Sequence, residues 1–226
     1  MADDGDLASR LRGVQESVSE TAREAGRDAA AITTIVVTKF HSAELVRRLH
    51  ALGVRDFGEN RHQEAAAKAA ELADLELNWH FVGQLQSKKA RQARNYATVI
   101  HSIDRPSLVD ALASPDGSVD CFVQLNLTDD PGRGGVQDAD LEAMTERVIE
   151  TPGLRLLGVM AVAPLDEEPR RAFARVRGAA ERVTAIAPQA TFISAGMSAD
   201  FREAILEGAT HLRIGTAITG KRPTPG

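Results

Sequence analysis

Apolar positions along the chain follow two rhythms in turn. Short β-branched or apolar runs fall near 32–39, 54–57, 79–83, 98–102, 119–126, 154–160, 190–194 and 210–215. Several are continuous rather than alternating, as in Ile35-Val36-Val37 and Cys121-Phe122-Val123, which is the pattern of strands covered on both faces. Between them the spacing is helical, over 42–52, 60–73, 86–95, 105–113, 138–150, 167–187 and 199–208. A further helix over 5–26, with Leu7, Leu11, Val14 and Val18 on one stripe, precedes the first strand. Pro106 suits a first helical turn, and Gly53 and Gly208 stand where helices stop. Steady alternation of strand and helix implies a parallel sheet, and eight such units predict a single (β/α)8 TIM barrel. The count alone leaves an open doubly wound sheet as the alternative. No linker composition divides the chain, so one domain over 1–226 is expected, with 221–226 as a frayed tail.

Composition narrows the partners. Of 226 residues, 43% are hydrophobic and 26% charged, an ordinary globular balance. A net charge of -5 offers no electrostatic attraction to nucleic acid or to an anionic membrane. The acidic start Met-Ala-Asp-Asp-Gly-Asp lacks the features of a secretory signal, and no apolar run is long enough to span a bilayer. The single cysteine, Cys121, sits in an apolar run and reads as a buried hydrophobe in a reduced, cytoplasmic protein.

Three segments carry candidate chemistry. Lys39 closes the first strand run, and period-two alternation puts it on one face with Ile35 and Val37. On the inward face of a closed barrel it is an amine at the C-terminal rim, where such barrels build their sites. A desolvated lysine there is a nucleophile toward a carbonyl, whereas an isolated strand-end lysine simply reaches for solvent. The segment Ser194-Ala195-Gly196-Met197-Ser198 opens a helix with small residues, which suits an anion or, equally, an ordinary cap at Ser198. In Leu212-Arg213-Ile214-Gly215-Thr216 the apolar residues face the helices, so Arg213 points into the barrel and needs a partner. A phosphate site on the last two loops together with an inward lysine suggests a phosphorylated aldehyde held as an imine.

Weaker candidates remain double-edged. Asn60 either caps a helix or reaches a ligand's ring, and His80 is either an acid–base group or a hydrogen-bonded structural histidine. His41, His50, His62 and His211 show no zinc spacing with cysteine, and neither a P-loop nor GxGxxG is present.

Taken in order, Val37-Thr38-Lys39, Phe57-Gly58-Glu59-Asn60, His80-Phe81-Val82-Gly83-Gln84-Leu85-Gln86 with Lys88-Lys89, His101-Ser102-Ile103-Asp104, Gly158-Val159-Met160, Ser194-Ala195-Gly196-Met197-Ser198 and Arg213-Ile214-Gly215-Thr216-Ala217-Ile218 resemble the YggS/PROSC family of pyridoxal-phosphate-binding, or PLP homeostasis, proteins. The resemblance spans nearly the whole chain. It implies a barrel similar to the N-terminal domain of alanine racemase, with pyridoxal 5'-phosphate bound covalently. Lys39 is then the Schiff-base lysine, and Arg213 faces the pyridine nitrogen. Ser198, Gly215 and Thr216 hold the phosphate, and Asn60, Ser194, Gly196 and Met197 complete the cofactor site. One position departs from the pattern: Arg133 stands where many relatives carry a lysine, so a role needing an amine there is not expected, while one needing only charge is.

An arginine opposite the ring nitrogen keeps it unprotonated and makes the cofactor a weak electron sink. Racemases of this type draw one base from a second domain of a partner subunit, and no such domain follows the last strand here. The resemblance therefore implies a monomeric binding protein in vitamin B6 and amino-acid homeostasis, with PLP-dependent apo-enzymes as partners. A minimal racemase using Lys39 and His80 is the alternative. A Schiff-base aldolase is what barrel and lysine alone would permit.

Overall fold

The computed structural model describes residues 4–128 and 130–221. A long helix, α1 (Asp4–Glu24), leads into β1 (Thr33–Val37), α2 (Ala43–Ala51), β2 (Asp56–Glu59), α3 (His62–Glu71), β3 (Asn78–Phe81), α4 (Ala90–Arg94) and β4 (Val99–Ile103). The second half continues with α5 (Pro106–Leu112), β5 (Val119–Gln124), α6 (Leu141–Glu150), β6 (Leu154–Met160), α7 (Pro169–Ile186), β7 (Phe192–Ser194), α8 (Phe201–Leu206), β8 (His211–Ile214) and α9 (Thr216–Thr219). The strands pair in parallel in chain order, and β8 returns to β1, closing the barrel. The open sheet is thereby excluded.

Two cores result. The large one lies between strands and helices, where Val36, Phe57, Phe81, Ile100, Leu212 and Ile214 pack against helix residues such as Val46, Leu49 and Val176. The small one fills the barrel itself: Val99, Phe122 and Met160, with Leu157 against them. Aligned residues on parallel neighbours share a face, so the register lays out the interior. Ile35 aligns with Arg213, Val37 with Gly58, Gly58 with His80, and Met160 with Ser194. The interior is thus apolar on one side and strongly polar on the other.

The structure trims several expected elements. β1 stops at Val37 rather than Lys39, because Phe40 takes a left-handed φ of 68° and the His41 N–H bonds the Thr38 carbonyl at 3.0 Å. The stretch 86–95 begins as a 3-10 turn over Ser87–Lys89 before becoming α4. The last helix expected before β8 is shorter, Phe201–Leu206, and α9 was not anticipated as a separate element. Of the expected tail, only Lys221 falls within the described residues.

Candidate functional site

The β1 and β8 ends meet at one rim of the barrel. Val37, Lys39, Phe40, His41, Gly215, Thr216, Thr219 and Gly220 line a cavity of about 220 Å³ there. Lys39 reaches it from the turn rather than from the strand, and it is exposed. The expectation of a desolvated amine is therefore not met; ending the strand early lifts the side chain out of the packed interior.

The turn that carries Lys39 is anchored from below. Thr38 is fully buried, and its hydroxyl donates to Glu59 Oε1 at 2.7 Å. Lys68 of α3 donates to the same oxygen at 2.6 Å and to the Thr38 carbonyl at 2.8 Å. Burial raises the Glu59 carboxyl, and the charge and hydrogen bond of Lys68 oppose that shift. Sequence reading passed over both Glu59 and Lys68: a buried ion pair at the end of β2 has no local signature.

Arg213 is 5% exposed and points into the barrel, as its neighbours Leu212 and Ile214 predicted. Its Nη1 donates to Ser194 Oγ at 2.6 Å and its Nη2 to the Ala161 carbonyl at 2.8 Å. Both partners are neutral. Burial lowers the guanidinium to about 10, so it stays charged at neutral pH.

Ser194 is also buried and belongs to a deeper set. His101 Nδ1 lies 2.8 Å from Ser194 Oγ, His80 Nδ1 lies 2.9 Å from His101 Nε2, and His80 Nε2 lies 3.0 Å from Asp56 Oδ1. Phe122 stacks on His101 with ring centroids 4.7 Å apart. Burial, then the neighbouring His80 and Arg213, hold His101 well below its ordinary pKa, so it is neutral. Both nitrogens of His80 are engaged, and the ring is 3% exposed. Asp56 and His101 carried no expected role in the site.

The remaining expected residues divide. Ser198 Oγ accepts from the Ala217 N–H at 3.3 Å, which ties the loop after β7 to the first turn of α9 beside Thr216. Gly196 has φ 91°, and a Cβ there would lie 2.7 Å from that of Ala204, so this glycine serves the packing of α8. Met197 is exposed, and its N–H donates to Asp200 at 2.6 Å. Asn60 lines a neighbouring cavity of about 170 Å³ with Gln84 and Lys89; its Oδ1 is buried and has no hydrogen-bond partner. Arg133 is exposed and lines another cavity of about 160 Å³ beyond β5. Among the described residues, no cluster of three or more His, Cys, Asp or Glu side chains is arranged for a metal, and no helix is long and apolar enough to cross a membrane.

A closed parallel barrel with a rim lysine after β1 and a buried arginine on β8 has the fold of the alanine racemase barrel. Residues 15–223 match the family described as alanine racemase, N-terminal domain. The chain belongs to that family and, within it, to the YggS/PROSC group of pyridoxal phosphate homeostasis proteins. The pyridoxal phosphate homeostasis protein of Pseudomonas aeruginosa is 41% identical over 223 residues, covering 96% of each chain. That of Escherichia coli is 34% identical over 227 residues, covering 96% of this chain and 97% of its own. The structure of PipY from Synechococcus elongatus with PLP bound superposes with a TM-score of 0.83 at 35% identity, covering 95% of this chain and all of that one. Alanine racemase from Corynebacterium glutamicum shares the fold, with a TM-score of 0.76 at 16% identity, and this chain spans 62% of its length.

Proposed function

We propose that this protein binds pyridoxal 5'-phosphate as a Schiff base on Lys39 and serves intracellular vitamin B6 and amino-acid homeostasis rather than catalysis. The observation that carries the reading is the cavity shared by Lys39, Gly215 and Thr216, in a chain 35% identical to PLP-bound PipY. The pocket suits the group. Gly215 has an ordinary φ of -107°, and a Cβ there would meet only Val37, at 3.5–3.7 Å. The absent side chain keeps that space open.

When bound, pyridoxal phosphate supplies an aldehyde carbon for an amine and a ring that withdraws electrons. The protein's own groups have separate tasks. Lys39, exposed on its turn, offers the amine. Ser198 and Thr216 offer hydroxyl donors to the phosphate beside the start of α9. Two Arg213 N–H groups are used inside the barrel, and the guanidinium has five, so donors remain for the ring nitrogen. His80, buried with both nitrogens occupied, is poorly placed to be a second base, which favours binding over racemisation. A single cytoplasmic domain acting as a monomer, handing cofactor to PLP-dependent apo-enzymes, fits this reading.

The test is borohydride reduction of protein loaded with pyridoxal phosphate, followed by peptide mass analysis. The phosphopyridoxyl group is expected on Lys39. Label found only on Lys88, Lys89 or Lys221 would remove the assignment.

A further inference from the structure

The polar chain inside the barrel runs in one direction. Arg213 donates but does not accept. Burial opposes ionisation of Asp56, but the hydrogen bonds it accepts from His80 and Asn78 act against burial, and its carboxyl lies below the usual range and accepts only. Ser194 therefore accepts from Arg213 and gives its own hydrogen to His101 Nδ1. His101 then carries its hydrogen on Nε2 and donates to His80 Nδ1, and His80 donates from Nε2 to Asp56. With both rings neutral, no other placement of hydrogens pairs every donor with an acceptor.

We propose that Asp56, His80, His101 and Ser194 are positioning residues for Arg213, so that the charge state at the far mouth of the barrel sets how firmly the guanidinium is held beneath the bound ring. This rests on the functional reading above. Hydrogen bonds in a chain polarise one another. Having given its hydrogen to His101, the Ser194 oxygen is a stronger acceptor for Arg213. A second proton on His80 reverses the order. His80 Nδ1–H then faces His101 Nε2, the His101 hydrogen moves to Nδ1, and Ser194 accepts from both sides with its own hydrogen unpaired. One proton is taken up at His80, one shifts across His101, and Arg213 keeps its own.

The far mouth is open to solvent at Asp56. The Asp56 side chain is 27% exposed and, with Thr33 and Arg55, lines a cavity of about 410 Å³ between α1 and the starts of β1 and β2. Lys39 and the ring site lie at the opposite rim. The titratable or charged groups facing the His80 ring are Asp56 from β2, His101 from β4 and His211 from β8, with Arg213 next to the last two.

Two measurements test this. Ring nitrogen-15 spectra of the protein at neutral pH should show His80 and His101 both protonated on Nε2; an Nδ1–H tautomer on either ring overturns the proposal. Binding of pyridoxal phosphate, measured by equilibrium dialysis with its absorption spectrum recorded across pH, should weaken about fivefold in Asp56→Asn and in Ser194→Ala, the loss of roughly one neutral hydrogen bond. The pH profile of the wild-type spectrum should flatten in Asp56→Asn. His80→Gln carries an acceptor and a donor on one amide and should retain more affinity than His80→Leu. Affinity and pH profile unchanged in every folded variant would overturn the relay and leave the functional reading standing. Wild-type protein that takes up no pyridoxal phosphate would overturn both.

Discussion

Lys68 and Glu59 form a buried ion pair directly beneath the turn that presents Lys39. The two side chains are 9% and 1% exposed, with Nζ 2.6 Å from Oε1. The lysine also holds the backbone carbonyl of Thr38. Removing one partner of such a pair leaves an uncompensated charge, which costs far more than the pair contributes. Lys68→Met should lower unfolding free energy by roughly 3–5 kcal/mol in urea titration. The double variant Lys68→Met with Glu59→Gln should recover much of that loss. A single variant as stable as wild type would show that Glu59 finds another partner or takes a proton.

Ser198, on the loop after β7, and Thr216, in the first turn of α9, stand on segments joined by the hydrogen bond from Ala217. If they hold the phosphate, Ser198→Ala and Thr216→Val each remove a donor to a charged acceptor, worth roughly 1.5–3 kcal/mol. Affinity for pyridoxal phosphate should fall while affinity for unphosphorylated pyridoxal barely changes. Dialysis with both ligands reads the difference, and equal loss for both would place the phosphate elsewhere.

Gly215 separates folding from binding. The space beside it is open to within 3.5 Å of Val37. Gly215→Ala adds one methyl group to open space and should change thermal stability little, by roughly 1 kcal/mol or less. It should nonetheless narrow the cavity beside Lys39 and weaken pyridoxal phosphate binding. A large drop in stability would mean that the glycine serves the fold instead.

Two interior histidines tie stability to acid. Burial and the proximity of His80 lower His211 to about 4, and burial with the same neighbour holds His101 well below its ordinary value. The folded state thus refuses protons that the unfolded state accepts below about 6.5. Stability contributed by these rings is complete above that value and is lost as pH falls toward the folded values. His211 alone predicts a loss of about 2 kcal/mol between about pH 7 and pH 5. Glu59, raised by burial, acts in the opposite sense. Comparing wild type with His211→Asn cancels that term, and the variant should lose less stability on acidification. Parallel pH curves would contradict the assignment.

The parts legible in sequence were those whose cause is local. Fully covered strands need continuous apolar runs, so Ile35-Val36-Val37 and Cys121-Phe122-Val123 announced themselves, and the eight-unit rhythm followed. The inward turn of Arg213 could be read because Leu212 and Ile214 had to face the helices. The end of β1 was misjudged, since Thr38 continues a β-branched pattern and nothing marks Phe40 for a left-handed φ. The interior relay was hidden for a different reason: Asp56, His80, His101 and Ser194 come from four strands and meet only once the barrel's register is set. Lys68 gave no signal of its own, because its partner Glu59 lies on a strand and reaches it only where β2 packs under α3.

The cavity beside Lys39 joins residues 37–41 to residues 215–220, the segments that leave the first and last strands of the barrel. α1 braces the same seam, for Arg10 Nε donates to the Ile218 carbonyl at 2.7 Å. During synthesis, therefore, this cavity does not exist until β8 has emerged and zipped against β1. A ligand taken up there would recognise only finished, closed molecules and would stabilise them by mass action, by an amount that grows with the logarithm of its free concentration over Kd. Vitamin supply would then act as a folding signal: in cells starved of the cofactor, newly made barrels would spend more time unzipped and exposed to proteases.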